Sequence, residues 1–273
     1  MVAPLQNSLK QQVIVSIRNL TVKYGERTVL NRINTAFFDS EIRVILGTSG
    51  CGKTTLLKSI IGLLNIHSGT VTIFGHELGD PEEVESAKLL RKIGVLFQNG
   101  ALLGSLSVEE NIALPLQMHT SLPEKLIKEM VRFKLSQVDL PHAARLYPGE
   151  LSGGMRKRAA LARALILDPP LLFCDEPSAG LDPVTSAGLD ELLLKLRSTL
   201  GITIVVVTHE LFSIETIADK ILFLNEGKVL FDGKLDDARK ITEGPINRFF
   251  CRQESNSNTS EAKKERFNLE YDS

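Results

Sequence analysis

A glycine-rich loop between a strand and a helix constrains the fold of this 273-residue chain more than any other feature. The apolar run EIRVIL leads into GTSGCGKT at 47–54, and the apolar-periodic segment LLKSIIGLL follows. Glycines allow a tight turn and a close approach of the backbone to a ligand, and N–H groups at a helix start point toward anions. This order of strand, loop and helix predicts an α/β fold with a phosphate-binding loop. An ordinary glycine-rich turn is the alternative, which the flanking strand and helix disfavour.

The residues of this loop have distinct predicted roles on a nucleotide. Lys53 places a cation on the β- and γ-phosphates, and Thr54 offers its hydroxyl to Mg²⁺. The other loop residues expected to contact the nucleotide are Gly47, Thr48, Ser49, Gly50, Cys51, Gly52 and Thr55.

Two acids follow a second apolar strand, LLFCDE at 171–176. Asp175 can hold Mg²⁺ through water, and Glu176 can orient and deprotonate the attacking water. A buried strand with a solvated acidic end is the alternative. One acid in that place is common, whereas two acids in a chain with a phosphate-binding loop favour catalysis.

Three further candidates are weaker when each is taken alone. Gln98 ends a predicted strand and can contact Mg²⁺ or the attacking water. His209 follows a buried strand and can contact the γ-phosphate, and Tyr24 can stack on adenine. A surface glutamine, a capping histidine and a strand-packing tyrosine are the alternatives. The functional interpretation depends on the other motifs.

A second predicted anion site begins at LSGG, 151–154, where Ser152, Gly153 and Gly154 open an amphipathic helix. A plain N-capped helix would not explain two phosphate cradles in a chain with one lysine-bearing loop.

The order of elements predicts the domain organisation. Strands and helices alternate at both ends of residues 13–244, and a helical subdomain at about 99–168 interrupts them, which indicates an α/β core with an insert. Ser107 with Glu110, and Ser121 with Glu124, have capping-box spacing and predict helix starts. Residues 1–12 form an N-terminal segment. Residues 245–273 form an extension whose apolar clusters, 245–250 and 267–271, are expected to dock on a second copy or a small partner; packing of the first cluster on its own domain is the alternative.

Composition limits the partners and the compartment. The net charge of -1 gives no general attraction to nucleic acid, which is not expected as a partner. The three cysteines are far apart and form no CxxC pair, so we expect a reducing compartment without disulfides or zinc. No apolar signal region or membrane-length apolar run occurs, so we expect a cytoplasmic chain. If the chain acts at a membrane, a separate subunit is expected to cross the bilayer.

Taken in order, these motifs resemble the nucleotide-binding subunit of ABC transporters over about 13–244. The matching motifs are Walker A (47–54), the Q-loop glutamine Gln98, the LSGG signature (151–154), Walker B (171–176), the D-loop SAGLD (178–182) and the switch histidine His209. The resemblance implies a P-loop NTPase fold with a RecA-like core, ATP and Mg²⁺ as cofactors, and ATP hydrolysis. It also implies that two copies pair head to tail, with LSGG of one copy at the γ-phosphate of ATP on the other, and that Asp182 of the D-loop binds nucleotide. Met155 departs from the usual Gln and suggests a subfamily.

Two segments, 97–116 and 150–165, resemble the Mla-type ATPases of phospholipid transport. That resemblance implies maintenance of the Gram-negative outer membrane from the cytoplasmic face of the inner membrane. It implies a multi-pass permease, an MCE-domain lipid-binding protein and a STAS-domain protein as partners. The apolar residues Leu102, Leu103 and Leu106 predict where the permease docks; packing inside the helical insert is the alternative.

Other interpretations of the function stay open. An ABC ATPase for another solute or a lipoprotein is the first, and the 97–116 segment argues against it. A soluble ABC ATPase of DNA repair or translation is disfavoured because the chain has one cassette, no heptad run and no basic excess. An ATPase that controls cell-wall enzymes through a membrane partner is the third. The lipid and the direction of transport are likewise open.

Overall fold

The computed structural model describes residues 12–79 and 83–251, which form two sheets and the helices around them. The strands are β1 (Val13–Tyr24), β2 (Arg27–Phe38), β3 (Ile42–Gly47), β4 (Ser68–Ile73), β5 (His76–Glu77), β6 (Ile93–Leu96), β7 (Leu171–Asp175), β8 (Thr203–Val207), β9 (Lys220–Asn225) and β10 (Lys228–Gly233). The α-helices are α1 (Lys53–Ile60), α2 (Val84–Leu90), α3 (Val108–His119), α4 (Glu124–Gln137), α5 (Gly153–Ala164), α6 (Pro183–Leu200), α7 (Leu211–Ile217) and α8 (Leu235–Arg239). Two short 3₁₀ helices, Pro141–Ala143 and Pro148–Glu150, precede α5.

The central sheet has the order β10-β9-β3-β8-β7-β6, and only the β10–β9 pair within it is antiparallel among the described strands. Every residue of β3, β7 and β8 is buried, as expected for parallel strands covered on both faces. Because the side chains of a strand alternate, Val44 and Leu172 face the helices, whereas Ile45 and Phe173 face the second sheet. The carboxyl ends of these strands meet at one edge.

The second sheet is antiparallel, with the order β2-β1-β4-β5. Its apolar face packs over α1 and the central sheet, where Val15, Phe37 and Leu57 share one buried cluster. This sheet therefore holds α1, and with it the glycine-rich loop, against the central strands.

Helices α3, α4 and α5 lie between β6 and β7 in the chain, so the predicted α/β fold with a helical insert is confirmed. The capping box at the start of α3 is also confirmed: Ser107 Oγ accepts from Glu110 N at 3.3 Å, and Glu110 Oε2 accepts from Ser107 N at 2.7 Å. The predicted cap at Ser121 is wrong. Pro123, two residues beyond Ser121, is the N-cap of α4 and has an extended backbone, so the helix begins at Glu124.

The apolar cluster at 245–250 packs on its own domain. Residues 244–251 are helical, and Ile246, Phe249 and Phe250 are buried in the main core. The Phe249 ring meets the Phe223 ring of β9 edge to face, with 5.5 Å between centroids. The prediction that this cluster docks on a partner is therefore wrong, because its apolar side chains are already buried in the core of their own domain. The second predicted cluster, and nearly all of the N-terminal segment, lie outside the described residues.

None of the helices in the described part of the chain is both long enough and apolar enough to span a bilayer.

Candidate active site

The glycine-rich loop leaves the carboxyl end of β3 and is shaped by backbone that only glycine adopts readily. Gly47 has φ 147° and Gly52 has φ 105°. A Cβ atom at Gly47 would lie 2.0 Å from the carbonyl oxygen of Leu224, which is too close for two non-bonded atoms. The loop can therefore pass directly beside β9, and residues 48–50 stay exposed at its tip.

Lys53 is the first residue of α1, and its side chain turns back across the loop. The ammonium donates to the carbonyl oxygens of Gly47 at 2.9 Å and Thr48 at 3.2 Å. Gly52, the N-cap of α1, provides no side-chain cap, so the first N–H groups of the helix are open to an anion. Thr54 is exposed beside them. A cation, open N–H groups and a glycine turn in one place fit the phosphates of a nucleotide.

Asp175 ends β7, two strands from β3 at the same edge of the sheet. Its side chain is buried, and its Oδ1 atom has no hydrogen-bond partner among the described residues. Burial, reinforced by the neighbouring Glu176 carboxylate, raises the pKa of Asp175, while Lys58, Lys157 and Lys53 act to lower it. A buried carboxylate oxygen without a donor, close to the lysine of the loop, suits a divalent cation such as Mg²⁺.

Glu176 has a left-handed backbone, φ 46°, which is strained for a residue with a side chain. Its N–H donates to the carbonyl of Val207 in β8 at 2.8 Å. Its Oε1 lies 2.8 Å from Nδ1 of His209, the residue two positions past β8, while its buried Oε2 has no hydrogen-bond partner within the described chain. One carboxylate oxygen is thus oriented by a histidine and the other can accept a proton.

Lys157 of α5 joins the site, although the sequence analysis did not single it out. Its buried ammonium donates to the carbonyl oxygens of Gln98 at 2.5 Å and Glu176 at 3.0 Å. Burial lowers the pKa of Lys157. The sequence feature that could have identified Lys157 is its place on the same helix face as Ala160 and Leu161, which are also buried.

The LSGG segment forms a capped helix start beside the D-loop. Ser152 Oγ accepts from Met155 N at 3.2 Å, and Gly153 and Gly154 are the first residues of α5. A Cβ atom at Gly154 would lie 2.4 Å from Cγ2 of Thr185, so a side chain there would push α5 from α6.

A cavity of 240 Å³ lies between the LSGG helix start, the Q-loop and the D-loop. Its lining residues are Gln98, Asn99, Gly153, Arg156, Lys157, Ala179, Gly180 and Leu181. Among the described residues, those of the glycine-rich loop do not line it. The two predicted phosphate cradles are therefore not halves of one cavity within this chain.

Asp182 caps α6, as its position before Pro183 predicts. Its Oδ1 accepts from the N–H groups of Val184 and Thr185, each at 3.1 Å, and Thr185 Oγ1 donates to Oδ2 at 2.5 Å. These hydrogen bonds, led by the one from the Thr185 hydroxyl, lower the pKa of Asp182. Its contact with a nucleotide stays a prediction.

The remaining candidates differ in position. Tyr24 is half exposed at the end of β1. Cys51 belongs to the loop but is buried, and burial raises the pKa of its thiol. Thr55 is half-buried one residue after Thr54 in α1. The roles of these residues toward ATP and Mg²⁺ stay predictions.

The segment after Gln98 is firmly held. Leu102 packs against the main core, whereas Leu103 is 47% exposed and Leu106 is half-buried. Asn111, fully buried in α3, accepts from Leu103 N at 2.8 Å and donates to the carbonyls of Leu103 and Leu106, each at 3.0 Å. Arg163 ties the preceding turn to α5 through the carbonyls of 100 and 101.

Comparisons with known proteins identify the family. A family model described as "ABC transporter" matches residues 30–179. The phospholipid transport ATP-binding protein MlaF of Haemophilus influenzae is 40% identical over 222 residues, covering 81% of this chain and 84% of that protein. The probable ribonucleotide transport ATP-binding protein mkl of Mycobacterium tuberculosis is 41% identical, covering 76% of this chain, which spans 58% of that longer relative.

Among solved structures, the fold is similar to the dimeric ATP-binding cassette MJ0796 in a post-hydrolysis state bound to ADP and Pi. The TM-score is 0.75 at 33% identity, and the match covers 81% of this chain and 99% of that one.

Proposed function

The chain belongs to the ABC transporter family as an ATP-hydrolysing subunit, and we propose that its ATPase activity drives phospholipid transport. The ATPase activity is inferred from one observation: the Lys53 loop, Asp175 and the Glu176–His209 pair lie at the same edge of the parallel sheet. The likeness to MlaF over most of both chains, together with the Mla-like segments 97–116 and 150–165, supports phospholipid as the cargo.

Hydrolysis follows from the positions of these side chains. The loop and Lys53 hold the β- and γ-phosphates, and Glu176 takes a proton from water as the water oxygen attacks the γ-phosphorus. The bond from that phosphorus to the ADP oxygen breaks, which leaves ADP and phosphate. His209 orients the Glu176 carboxylate and contacts the γ-phosphate.

Thr54, Asp175 and Gln98 would hold Mg²⁺, which supplies charge neutralisation between the phosphates. The buried Asp175 Oδ1, which has no hydrogen-bond partner in the described part of the chain, supports this assignment.

A second copy of the chain completes each ATP site. LSGG opens a second anion-binding helix start, and the cavity at that start is bounded by the Q-loop and D-loop rather than by the glycine-rich loop. An ATP molecule on the Lys53 loop of one copy would therefore meet Ser152 and Asp182 of the other. The dimeric neighbour bound to ADP and Pi supports this arrangement.

The membrane partner would dock in a groove of 470 Å³ between β6, α2 and the helical insert. Phe97, Pro115, His119 and Arg163 are among the residues that line it. The exposed Leu103 lies on the nearby segment that Asn111 fixes, so a short permease helix could bind without reordering it. We propose that this permease works with MCE-domain and STAS-domain proteins, and that the ATPase lies on the cytoplasmic face of the inner membrane.

Isolation of the complex tests the cargo. The tagged chain is purified from membranes in mild detergent, its partners and bound lipids are identified, and ATP-driven transfer of labelled phospholipid is measured in proteoliposomes. We expect a permease, an MCE-domain protein and transfer that is lost in a Glu176→Gln complex. A complex without phospholipid whose ATPase responds to a ribonucleotide would instead favour the cargo named for mkl.

A further inference from the structure

A buried lysine contacts two parts of the active site by their backbones alone. Lys157 is 6% exposed, and its ammonium binds the carbonyl oxygens of Gln98 and Glu176. It forms no salt bridge with any described residue. Burying a cation is costly, and the Glu176 and Asp175 carboxylates that attract Lys157 form no ion pair with it among the described residues, so two carbonyl acceptors are a poor reason to place a lysine here on stability alone.

The contact fixes the backbone of the proposed general base from both sides. The Glu176 N–H donates to Val207 of β8, and the Glu176 carbonyl accepts from Lys157 of α5 at 3.0 Å and from the N–H of Ala179 at 3.2 Å. The backbone between these two bonds is left-handed, a conformation that persists only where surrounding contacts impose it. Removing the Lys157 bond would leave the Glu176 carbonyl with the longer Ala179 bond alone, which loosens the peptide that follows Glu176 and so changes the direction of its carboxylate.

Lys157 also lies one helical turn from the LSGG residues on the same helix. The start of that helix would contact ATP held by the other copy, whereas the Lys157 ammonium contacts Glu176 of its own copy. We propose that Lys157 is a positioning residue that fixes Glu176 and links the two ATP sites of the dimer through α5. This inference rests on the proposed trans arrangement and on the role of Glu176 as base.

The test compares Lys157→Met with Lys134→Met in the purified complex. Lys134 is a matched control: it is 3% exposed, lies on α4 of the same insert, and pairs with Asp168. We expect Lys157→Met to lower kcat at least about tenfold with the nucleotide Kd of the monomer unchanged, and to lower the Hill coefficient for ATP toward one. Lys134→Met should lower the melting temperature and leave kcat and the Hill coefficient as in the parent.

Two further variants separate positioning from folding. Lys157→Arg, which keeps a cationic donor, should recover most of kcat, and Lys157→Gln serves if the Met variant does not assemble. In a Glu176→Gln background, Lys157→Met should cause no further loss of rate, because the group that it positions is already absent.

Loss of thermal stability with a normal kcat in Lys157→Met would overturn the proposal, as would a further loss of rate in the Glu176→Gln background. Full turnover by Glu176→Gln alone would instead refute the proposed base. Monomer ATP binding lost by Ser152→Arg would refute the trans arrangement.

Discussion

A single substitution, Asp190→Asn, should make the protein more stable, and its effect should depend on pH. Asp190 lies on α6 and is fully buried, and its Oδ2 accepts from the hydroxyl of Ser213 at 2.7 Å. Its Oδ1 has no hydrogen-bond partner within the described residues. Burial raises the pKa of Asp190 to about 6; the Ser213 bond acts to lower it and the nearby Glu210 to raise it.

The size of the effect follows from the difference between folded and unfolded chains. The pKa of an unfolded Asp is about 3.9, so the folded chain holds this proton about 2 pH units more tightly. Each unit is worth about 1.4 kcal/mol, which gives about 3 kcal/mol in total. Because the folded pKa is raised, this contribution is fully present below pH 4 and is lost as the pH rises through 6. An asparagine keeps the acceptor for Ser213 and carries no charge.

Urea unfolding of the isolated chain, followed by circular dichroism from pH 4.5 to 8, measures the effect. The free energy of unfolding of Asp190→Asn, relative to that of the parent, should rise by about 1.4 kcal/mol per pH unit up to pH 6. The difference between the two proteins should be constant above pH 7. Ser213→Ala removes the bond that lowers the pKa, so it should move the loss of stability to higher pH. A difference between Asp190→Asn and the parent that does not vary with pH would refute the reasoning.

Two further predictions concern the chemistry. Glu176→Gln should bind ATP normally and lose about 10²-fold or more in turnover, because the attacking water loses its base; phosphate release by the purified complex measures this, and a near-normal rate would exclude Glu176 as the base. Lys53→Ala should weaken ATP binding by the monomer, whereas Ser152→Arg should spare that binding and block ATP-driven dimerisation, as monitored by light scattering; equal loss of monomer binding in both variants would contradict the trans arrangement.

Much of the fold could be predicted because the parallel core is apolar on both faces. The alternating run VIVSIRNLTVKY at 13–24 and the apolar run LLFCD at 171–175 both predict strands, and these coincide with β1 and β7. The run INTAFF at 33–38 predicts a strand, but β2 begins six residues earlier, because its first half places two polar residues before two apolar ones (Arg27-Thr28, then Val29-Leu30) instead of alternating them. The two-residue strand β5 has no periodicity to detect.

The glycine-rich loop and the two acids could also be found from sequence, because the residues of each lie within a few positions of one another. Lys157 and Asp190 could not. Lys157 meets Gln98 from 59 positions away, and Asp190 meets Ser213 from 23 positions away. Periodicity reports which face of a helix is buried, but it does not report which backbone or hydroxyl group will lie opposite a buried charge.

The buried charges near the site differ in what offsets their cost. Asp175 has a bound cation to compensate it in the proposed ATP complex, and Lys157 has two carbonyl acceptors and the nearby Glu176 and Asp175 carboxylates. Among the described residues, the Asp190 side chain accepts a hydrogen bond only from the Ser213 hydroxyl, which lies 3.4 Å from the hydroxyl of Ser178 at the start of the D-loop. The free-energy cost of burying the Asp190 carboxylate would therefore persist through the whole ATPase cycle. If that chain of contacts only supports the fold, Asp190→Asn should leave kcat unchanged at pH 7.5. If it sets the D-loop, the stabilised variant should turn over more slowly, because the neutral amide oxygen of asparagine accepts the Ser213 hydrogen bond more weakly than a carboxylate and orients the two hydroxyls less firmly.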